Sequence, residues 1–242
     1  MTGRLLYVCA RPQREAATAE WASFRDGLGV DDADLVHHDL VRHPLPPDLD
    51  RYAGVVVGGS PFNVTDADKT DAQLRLEHDL EVLASAALEG RTRAMFTCFG
   101  IGVVTRLLGG VVTLEHPEGT GPAEIALTDE GSRDELFGIL DPTFEALTAH
   151  KEGTAQVPPG ATLLARNAAC PVQAYRAGIA LWATQFHPEP TADAFVARMA
   201  VYRAAGYFDS DAFDEVAAHV RTVSVEQPTL LLRTFAAHAL AA

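Results

Sequence analysis

Three short apolar runs constrain the fold of this chain most strongly. They cover residues 5–10, 55–57 and 94–96, and none of them alternates with polar residues. Strands that are apolar on both faces are typical of parallel sheets covered by helices on both sides. Helical patterns over 15–28 and 71–89 lie between the runs. The resulting β-α-β order predicts a doubly wound sheet, whose ligands bind beyond the carboxyl ends of the strands.

The predicted fold class is α/β: a flavodoxin-like, three-layer, doubly wound and mostly parallel sheet, with added β elements and C-terminal helices. Residues 1–207 are predicted to form one domain, and residues 208–242 a helical extension that packs on it. Further strands are predicted over 110–114, 123–127 and 161–166, and a hairpin over 172–186. Helices are predicted over 134–140, 192–206, 211–223 and 230–240.

Charge and cysteine content exclude several classes of protein. The formal net charge of −14 argues against binding to a nucleic-acid backbone. We expect a cytoplasmic protein without membrane contact, because the sequence shows neither a signal-peptide pattern nor an apolar run of about eighteen residues. Three cysteines without short-range pairing do not suggest a disulfide framework. Cys9, inside an apolar strand, and Cys170, before a proline, are interpreted as structural.

Cys98 directly follows the third apolar run. Residues 99–102 are predicted to form a tight turn and residues 103–108 a short helix. A cysteine at a sharp strand-to-helix turn has the form of a nucleophile elbow. The helix N-terminus favours the thiolate and supplies backbone N–H groups. Without such a context, a buried cysteine is usually a small hydrophobic residue.

His187 and Glu189 are the candidate partners of Cys98. A proline fixes the turn between them, so the carboxylate can hold one ring nitrogen while the other faces a thiol. A metal site is the alternative for this pair and for residues 37–39, but no third ligand stands near the pair in sequence. Gly58 and Gly59 are interpreted as a plain turn or as a backbone that approaches a reacting carbonyl. In the second case, the N–H of Phe99 is the other oxyanion donor.

Two signatures, taken together, resemble the class I glutamine amidotransferases. Residues 185–189 read QFHPE, the late signature of that family, and residues 96–102 resemble its nucleophile signature G-x-C-x-G-x-Q. Residues 58–61 match the family's oxyanion loop. The resemblance covers about residues 3–205 and is nearest to stand-alone members similar to the amidotransferase domain of GMP synthase.

The resemblance implies a Cys-His-Glu triad that releases ammonia from glutamine. Cys98 would attack the side-chain amide to give a γ-glutamyl thioester, His187 would transfer the proton, and Glu189 would orient His187. The backbone N–H groups of Gly59 and Phe99 would form the oxyanion hole.

The resemblance also implies the substrate site and the partners. The substrate-binding residues would be Gly58, Gly102 and Gln185, with no metal or cofactor. In the family, ammonia passes to a synthase domain or partner. The sequence contains no synthase domain, so the expected partner is a separate synthase protein.

Two departures from the family pattern leave three functions open. Phe96 replaces the first glycine of the nucleophile signature, and Gly102 replaces its glutamine, which helps hold the substrate's α-amino acid end. The chain is therefore interpreted as a glutaminase of the amidotransferase type, as a hydrolase of another γ-glutamyl amide or peptide, or as a non-catalytic regulatory homologue.

Overall fold

The computed structural model describes residues 3–241. The predicted domain 1–207 and the predicted extension 208–242 therefore each include terminal residues, Met1, Thr2 and Ala242, that lie outside the described range. Eleven strands and six α-helices are found in this range. The strands are β1 (Arg4–Cys9), β2 (Leu35–Asp39), β3 (Tyr52–Val57), β4 (Ala94–Thr97), β5 (Val112–Thr113), β6 (Glu118–Leu127), β7 (Thr143–His150), β8 (Gly153–Thr154), β9 (Ala161–Arg166), β10 (Ala174–Ala177) and β11 (Leu181–Thr184). The helices are α1 (Arg14–Leu28), α2 (Asp71–Leu88), α3 (Phe99–Leu107), α4 (Ala192–Val201), α5 (Phe213–Val220) and α6 (Glu226–Ala241).

Nine of the strands form one sheet in the order β2-β1-β3-β4-β11-β10-β9-β6-β7. The first five are parallel, and the remaining four pair antiparallel. Strands β5 and β8 form a separate two-stranded ribbon. This arrangement confirms the predicted α/β fold with a parallel doubly wound part and added β elements. It places the carboxyl ends of β3, β4 and β11 side by side.

The parallel strands inside the sheet, β1, β3, β4 and β11, are largely buried on both faces, whereas the edge strand β2 (LVHHD) is only partly buried. In β1, Leu5 and Tyr7 face one core, while Leu6 and Val8 face the other, because side chains alternate along a strand. Helices α1 and α6 contribute to the first core, and α2 and α3 to the second. Helix α6 supplies Leu231, Leu232 and Phe235 to the first core, so the C-terminal segment belongs to the main packing of the molecule.

The sequence-based assignment fails mainly between residues 128 and 151. The predicted helix over 134–140 is replaced by two 3₁₀ turns, Gly131–Arg133 and Phe137–Ile139. The cause is Asp134, whose carboxylate accepts hydrogen bonds from the backbone N–H groups of Leu136 and Phe137 and from the Trp182 indole. Strand β7 follows without having been predicted.

The helices near the C-terminus differ from their predicted bounds. Helices α4 and α5 are shorter than the predicted 192–206 and 211–223. Helix α6 begins at Glu226, before Pro228. The proline is tolerated because the first N–H groups of a helix have no partner within it. None of the helices within residues 3–241 has the length and apolar character needed to cross a membrane.

Candidate active site

The main-chain conformation of Cys98 is the most unusual feature of the site. With φ 50° and ψ −106°, it is the one non-glycine residue with positive φ in the described part of the chain. Such a conformation costs of order 1–3 kcal/mol and is typical of functional sites. The N–H of Cys98 donates to the carbonyl of Thr184 (2.8 Å), which ties the turn to β11. Helix α3 starts at Phe99, so residues 99–102 are already helical and do not form the separate turn predicted for them.

The antiparallel part of the sheet fixes the position of His187. Its backbone N–H donates to the carbonyl of Leu147 in β7 (2.9 Å), and the two residues form an isolated antiparallel bridge. The Nδ1 atom of His187 lies 3.0 Å from Oε1 of Glu189, and both side chains are buried. The structure thus brings Cys98, His187 and Glu189 together at the carboxyl ends of β4 and β11.

The charges around His187 favour its protonated form. Burial of the ring and the positive charge of Arg198 oppose protonation, but the carboxylate of Glu189, together with the sulfur of Cys98, outweighs both and raises the pKa of His187 to about 9. Burial also opposes ionisation of Glu189, yet His187 and Arg198 hold the pKa of this carboxyl well below its ordinary value. An imidazolium anchored by a carboxylate beside a cysteine can donate a proton to a leaving amine.

A buried charge cluster, which we call the Glu20 cluster, lies next to these residues. Glu20 accepts hydrogen bonds from Arg11 Nε (2.8 Å), Arg198 Nη1 (3.3 Å) and the Tyr7 hydroxyl (2.7 Å). The same Nη1 atom of Arg198 donates to Glu189 Oε1 (2.6 Å), so one guanidinium joins the two carboxylates. Glu20 is fully buried, and both arginines are at most 5% exposed.

Sequence reasoning missed the Glu20 cluster, although one signal for it was present. Helix α1 buries Ala16, Ala17 and Phe24, and Glu20 lies on the same face at helical spacing. A carboxylate at a core position must be paired, because burying an unpaired charge costs several kcal/mol. The sequence therefore demands cations near Glu20, but it does not identify Arg11 or Arg198 as those cations.

The glycines after β3 make room for these charged groups. A Cβ at position 58 would overlap the carboxylate of Glu20. A Cβ at position 59 would lie 2.9 Å from Arg11 Nη2, 2.9 Å from His187 Cε1 and 3.4 Å from Cys98 Cβ. The N–H of Gly59, one of the two predicted oxyanion donors, donates to Glu20 Oε1 (3.2 Å). The N–H of Phe99 is the first of α3 and has no partner within the helix.

Two chambers meet at Cys98. Both are lined by Ser60, Cys98, Ala149 and Tyr207. The first, here called the His187 chamber, is further lined by Arg11, Thr120, His187, Phe195, Arg198, Met199, Tyr202 and Phe208. The second, the Gly102 chamber, is further lined by Phe62, Asn63, Phe99, Gly102, Val112, His150, Lys151, Glu152 and Gln185. Of the predicted substrate-binding residues, Gly102 and Gln185 line the second chamber, whereas Gly58 packs against Glu20.

The two departures from the family pattern have different consequences. Phe96 is fully buried and packs against Gly100, where an added Cβ would lie 3.0 Å from Phe96 Cβ, so its ring stays in the core. At Gly102, an added Cβ would lie 3.2 Å from Val64 Cγ2 and 3.4 Å from Glu152 Oε1. The Glu152 carboxylate is fixed there by the N–H of Val64 (2.8 Å). The space beside position 102 is therefore already occupied.

Two groups of side chains have the composition of metal ligands, and both contain hydrogen bonds or ion pairs between protein groups. In the first, Glu118 Oε2 lies 2.7 Å from His150 Nε2, and burial raises the pKa of the nearby Cys170 thiol to about 12. In the second, the carboxylates of Glu20 and Glu189 near His187 are paired with arginines. In the second group, Glu189 Oε2 is buried without a hydrogen-bond partner among the described residues.

Comparison with known proteins identifies the family. No protein-family model matches the chain. One of the separate subunits of a glutamine-hydrolysing GMP synthase, from Ignicoccus hospitalis, is 30% identical over 160 residues, which cover 64% of this chain and 77% of that protein. The chain belongs to the class I glutamine amidotransferases. This result confirms the family that the two sequence signatures predicted.

Other relatives of this amidotransferase-like protein vary in length and name. Gamma-glutamyl peptidase 3 from Arabidopsis thaliana is 29% identical over 153 residues, covering 61% of this chain and 59% of that protein. The chain spans about 25% of the length of the GMP synthases from Borreliella burgdorferi, to which it is 25% and 24% identical. A glutamine amidotransferase from Thermotoga maritima has the same fold, with a TM-score of 0.77 at 16% identity and full coverage of both chains.

Proposed function

We propose that the chain is a cysteine amide hydrolase that cleaves γ-glutamyl amides through a γ-glutamyl thioester, with glutamine as the parent substrate. The observation that carries this proposal is the strained turn at Cys98 beside a buried histidine–carboxylate pair. A sulfur held out of the sheet, next to an imidazole whose Nδ1 is anchored 3.0 Å from a carboxylate, is the arrangement that nucleophilic amide cleavage needs.

The proposed reaction has two steps. In the first, the Cys98 thiolate forms a C–S bond to the γ-carbonyl carbon, the C–N bond breaks, and His187 gives its proton to the leaving amine. In the second, water attacks the thioester with His187 as base. The C–S bond then breaks, glutamate leaves after giving its acid proton to solvent, and the thiolate beside protonated His187 is regenerated. Glu189 keeps the ring oriented through both steps.

The N–H groups of Phe99 and Gly59 are the proposed oxyanion donors. The helix-terminal N–H of Phe99 is open for this role. The N–H of Gly59 donates to Glu20 at 3.2 Å in this structure. To serve the oxyanion, this peptide must share or exchange that hydrogen bond when the tetrahedral intermediate forms. The proposal therefore assigns Gly59 a role that depends on Glu20.

A partner that uses the ammonia is part of the proposal. The relative from Ignicoccus hospitalis is named for one subunit of GMP synthase, and this name supports a separate synthase protein as the acceptor. The relative named gamma-glutamyl peptidase supports a wider range of γ-glutamyl amides. The substrates that these two names imply have different leaving groups but the same γ-glutamyl group. We therefore propose that the γ-glutamyl group is the part that becomes bonded to Cys98.

The decisive experiment measures glutamate and ammonia released from glutamine by the wild type and by Cys98→Ala. Loss of the nucleophile should lower kcat by about three or more powers of ten. Cys9→Ala is the matched control, because Cys9 is also buried but lies in β1 outside both chambers. Equal rates in the wild type and in Cys98→Ala would overturn the proposal. A glutamine-derived chloroketone should alkylate Cys98 and leave Cys9 unmodified, which also excludes a non-catalytic homologue.

A further inference from the structure

We infer that the His187 chamber is a binding site for an amino acid leaving group, so that the preferred substrates are γ-glutamyl dipeptides with a small second residue. The inference rests on the proposed function and specifies its substrate class. Three observations support it: the position of each chamber relative to Cys98 and His187, the volume of the His187 chamber, and the hydrogen-bond donors that line the His187 chamber.

Proton transfer decides which chamber receives the leaving group. The leaving nitrogen must come within hydrogen-bond reach of the His187 ring to collect its proton. His187 lines the first chamber and is absent from the lining of the second. The γ-glutamyl part is therefore assigned to the Gly102 chamber, whose cavity of about 20 Å³ must widen to admit it, and whatever is attached to the leaving nitrogen extends into the His187 chamber.

The His187 chamber is larger than ammonia requires. Its cavity volume is about 40 Å³, whereas a single water needs about 10–15 Å³ measured in the same way. A group of a few heavy atoms, such as glycine or alanine, fits this room. Phe195, Met199 and Phe208 supply apolar wall, which suits the carbon atoms of such a group.

One guanidinium nitrogen of Arg11 has no hydrogen-bond partner in the described part of the protein and can bind the carboxylate of a substrate. Within residues 3–241, Arg11 donates through Nε to Glu20 and through Nη1 to Tyr202, while Nη2 has no hydrogen-bond partner. Arg11 is 4% exposed and lines the chamber. Because Nη2 and His187 Cε1 both lie 2.9 Å from the position of a Cβ at Gly59, Nη2 lies close to the imidazole that protonates the leaving group.

The charges that face the chamber support an anionic occupant. The guanidinium groups of Arg11 and Arg198 line the chamber, whereas the carboxylates of Glu20 and Glu189 are not among its lining residues. The carboxylate of a departing amino acid can accept a charge-assisted hydrogen bond from Arg11 Nη2. An alkylamine or ammonia cannot make that bond.

The test compares γ-glutamylglycine with γ-glutamyl ethylamide and glutamine. The first two differ mainly in the carboxylate. We expect kcat/KM for γ-glutamylglycine to exceed that for the ethylamide by about tenfold or more. In Arg11→Met, the ratio should fall towards one. Thr120→Phe, which fills the chamber from β6, should lower the ratio of γ-glutamylglycine to glutamine by about tenfold. Thr143→Phe, exposed in β7 and outside both chambers, should change neither ratio.

A binding measurement keeps the inference independent of turnover. In the Cys98→Ala background, calorimetry should give a Kd for γ-glutamylglycine about tenfold lower than for the ethylamide. Equal Kd values, or glutamine hydrolysis without any preference for the dipeptide, overturn the inference and leave the proposed function standing. Preferential binding without Cys98-dependent cleavage of any of the three amides supports the chamber and overturns the proposed function.

Discussion

Replacement of Arg198 by methionine tests how strongly the Glu20 cluster supports the site. Arg198 Nη1 lies 2.6 Å from Glu189 Oε1 and 3.3 Å from Glu20 Oε1, and all three side chains are nearly inaccessible to water. After the change, Glu20 still has Arg11 and Tyr7, whereas Glu189 keeps only His187. The loss therefore falls mainly on Glu189, a buried carboxylate that becomes under-compensated.

The expected cost follows from this geometry. Removing one partner of a buried ion pair destabilises a protein by about 3–5 kcal/mol. For a chain of this length, each kcal/mol lowers Tm by about 2–4 °C, so Tm should fall by roughly 10 °C. Urea unfolding at pH 7 measures the same loss of stability as a shift of the unfolding midpoint to lower urea concentration. Arg221→Met is the matched control, since Arg221 pairs with Asp193 at the surface, where 51% and 83% of the two side chains are exposed. It should cost less than about 1 kcal/mol.

The pH dependence adds a second check. Glu189 has a folded-state pKa below its ordinary 4.5, so the stability that it contributes is present above pH 4.5 and is lost as the pH falls through the folded pKa. Arg198 helps to lower that pKa. The stability gap between the wild type and Arg198→Met should therefore be widest near neutral pH and should narrow in acid. A loss no larger than that of Arg221→Met, or a gap that widens in acid, would refute the reasoning.

Two further predictions concern the proton donor and the packing. Glu189→Gln removes the carboxylate that raises the pKa of His187 to about 9. The alkaline limb of the kcat/KM profile should therefore move to lower pH, and kcat should drop by about a hundredfold. An alkaline limb at the wild-type pH would contradict the assignment of His187 as the proton donor. Gly131→Ala places a methyl group onto a backbone carbonyl and should cost about 2 kcal/mol or more in urea unfolding. Gly119→Ala, which meets nothing within 4 Å, should stay within about 0.5–1 kcal/mol of the wild type, and equal losses would contradict the packing argument.

The core of the parallel half was predictable from sequence because β1, β3 and β4 contain continuous apolar runs. Strand β7 was missed, although its burial nearly alternates from Thr143 to Leu147. Its position depends on pairing with β6 and on the bridge to His187, and both are contacts between distant residues. The helix predicted over 134–140 failed for a related reason, since the Asp134 carboxylate turns back on the local backbone and reaches Trp182. Local periodicity contains no information about either partner.

The candidate site shows the same limit. Cys98, His187 and Glu189 were found from short signatures in which the turn and the proline fix the local geometry. In the Glu20 cluster, Glu20 lies in α1 and Arg198 lies in α4, 178 positions apart in the chain. No short pattern connects them, and only the requirement that a buried carboxylate be paired indicates that such partners exist. Because Arg198 touches both Glu20 and Glu189, while Glu20 accepts the N–H of Gly59, the cluster couples the orientation of the histidine to the peptide beside the nucleophile. Any change in α4 that displaces Arg198 should therefore affect both.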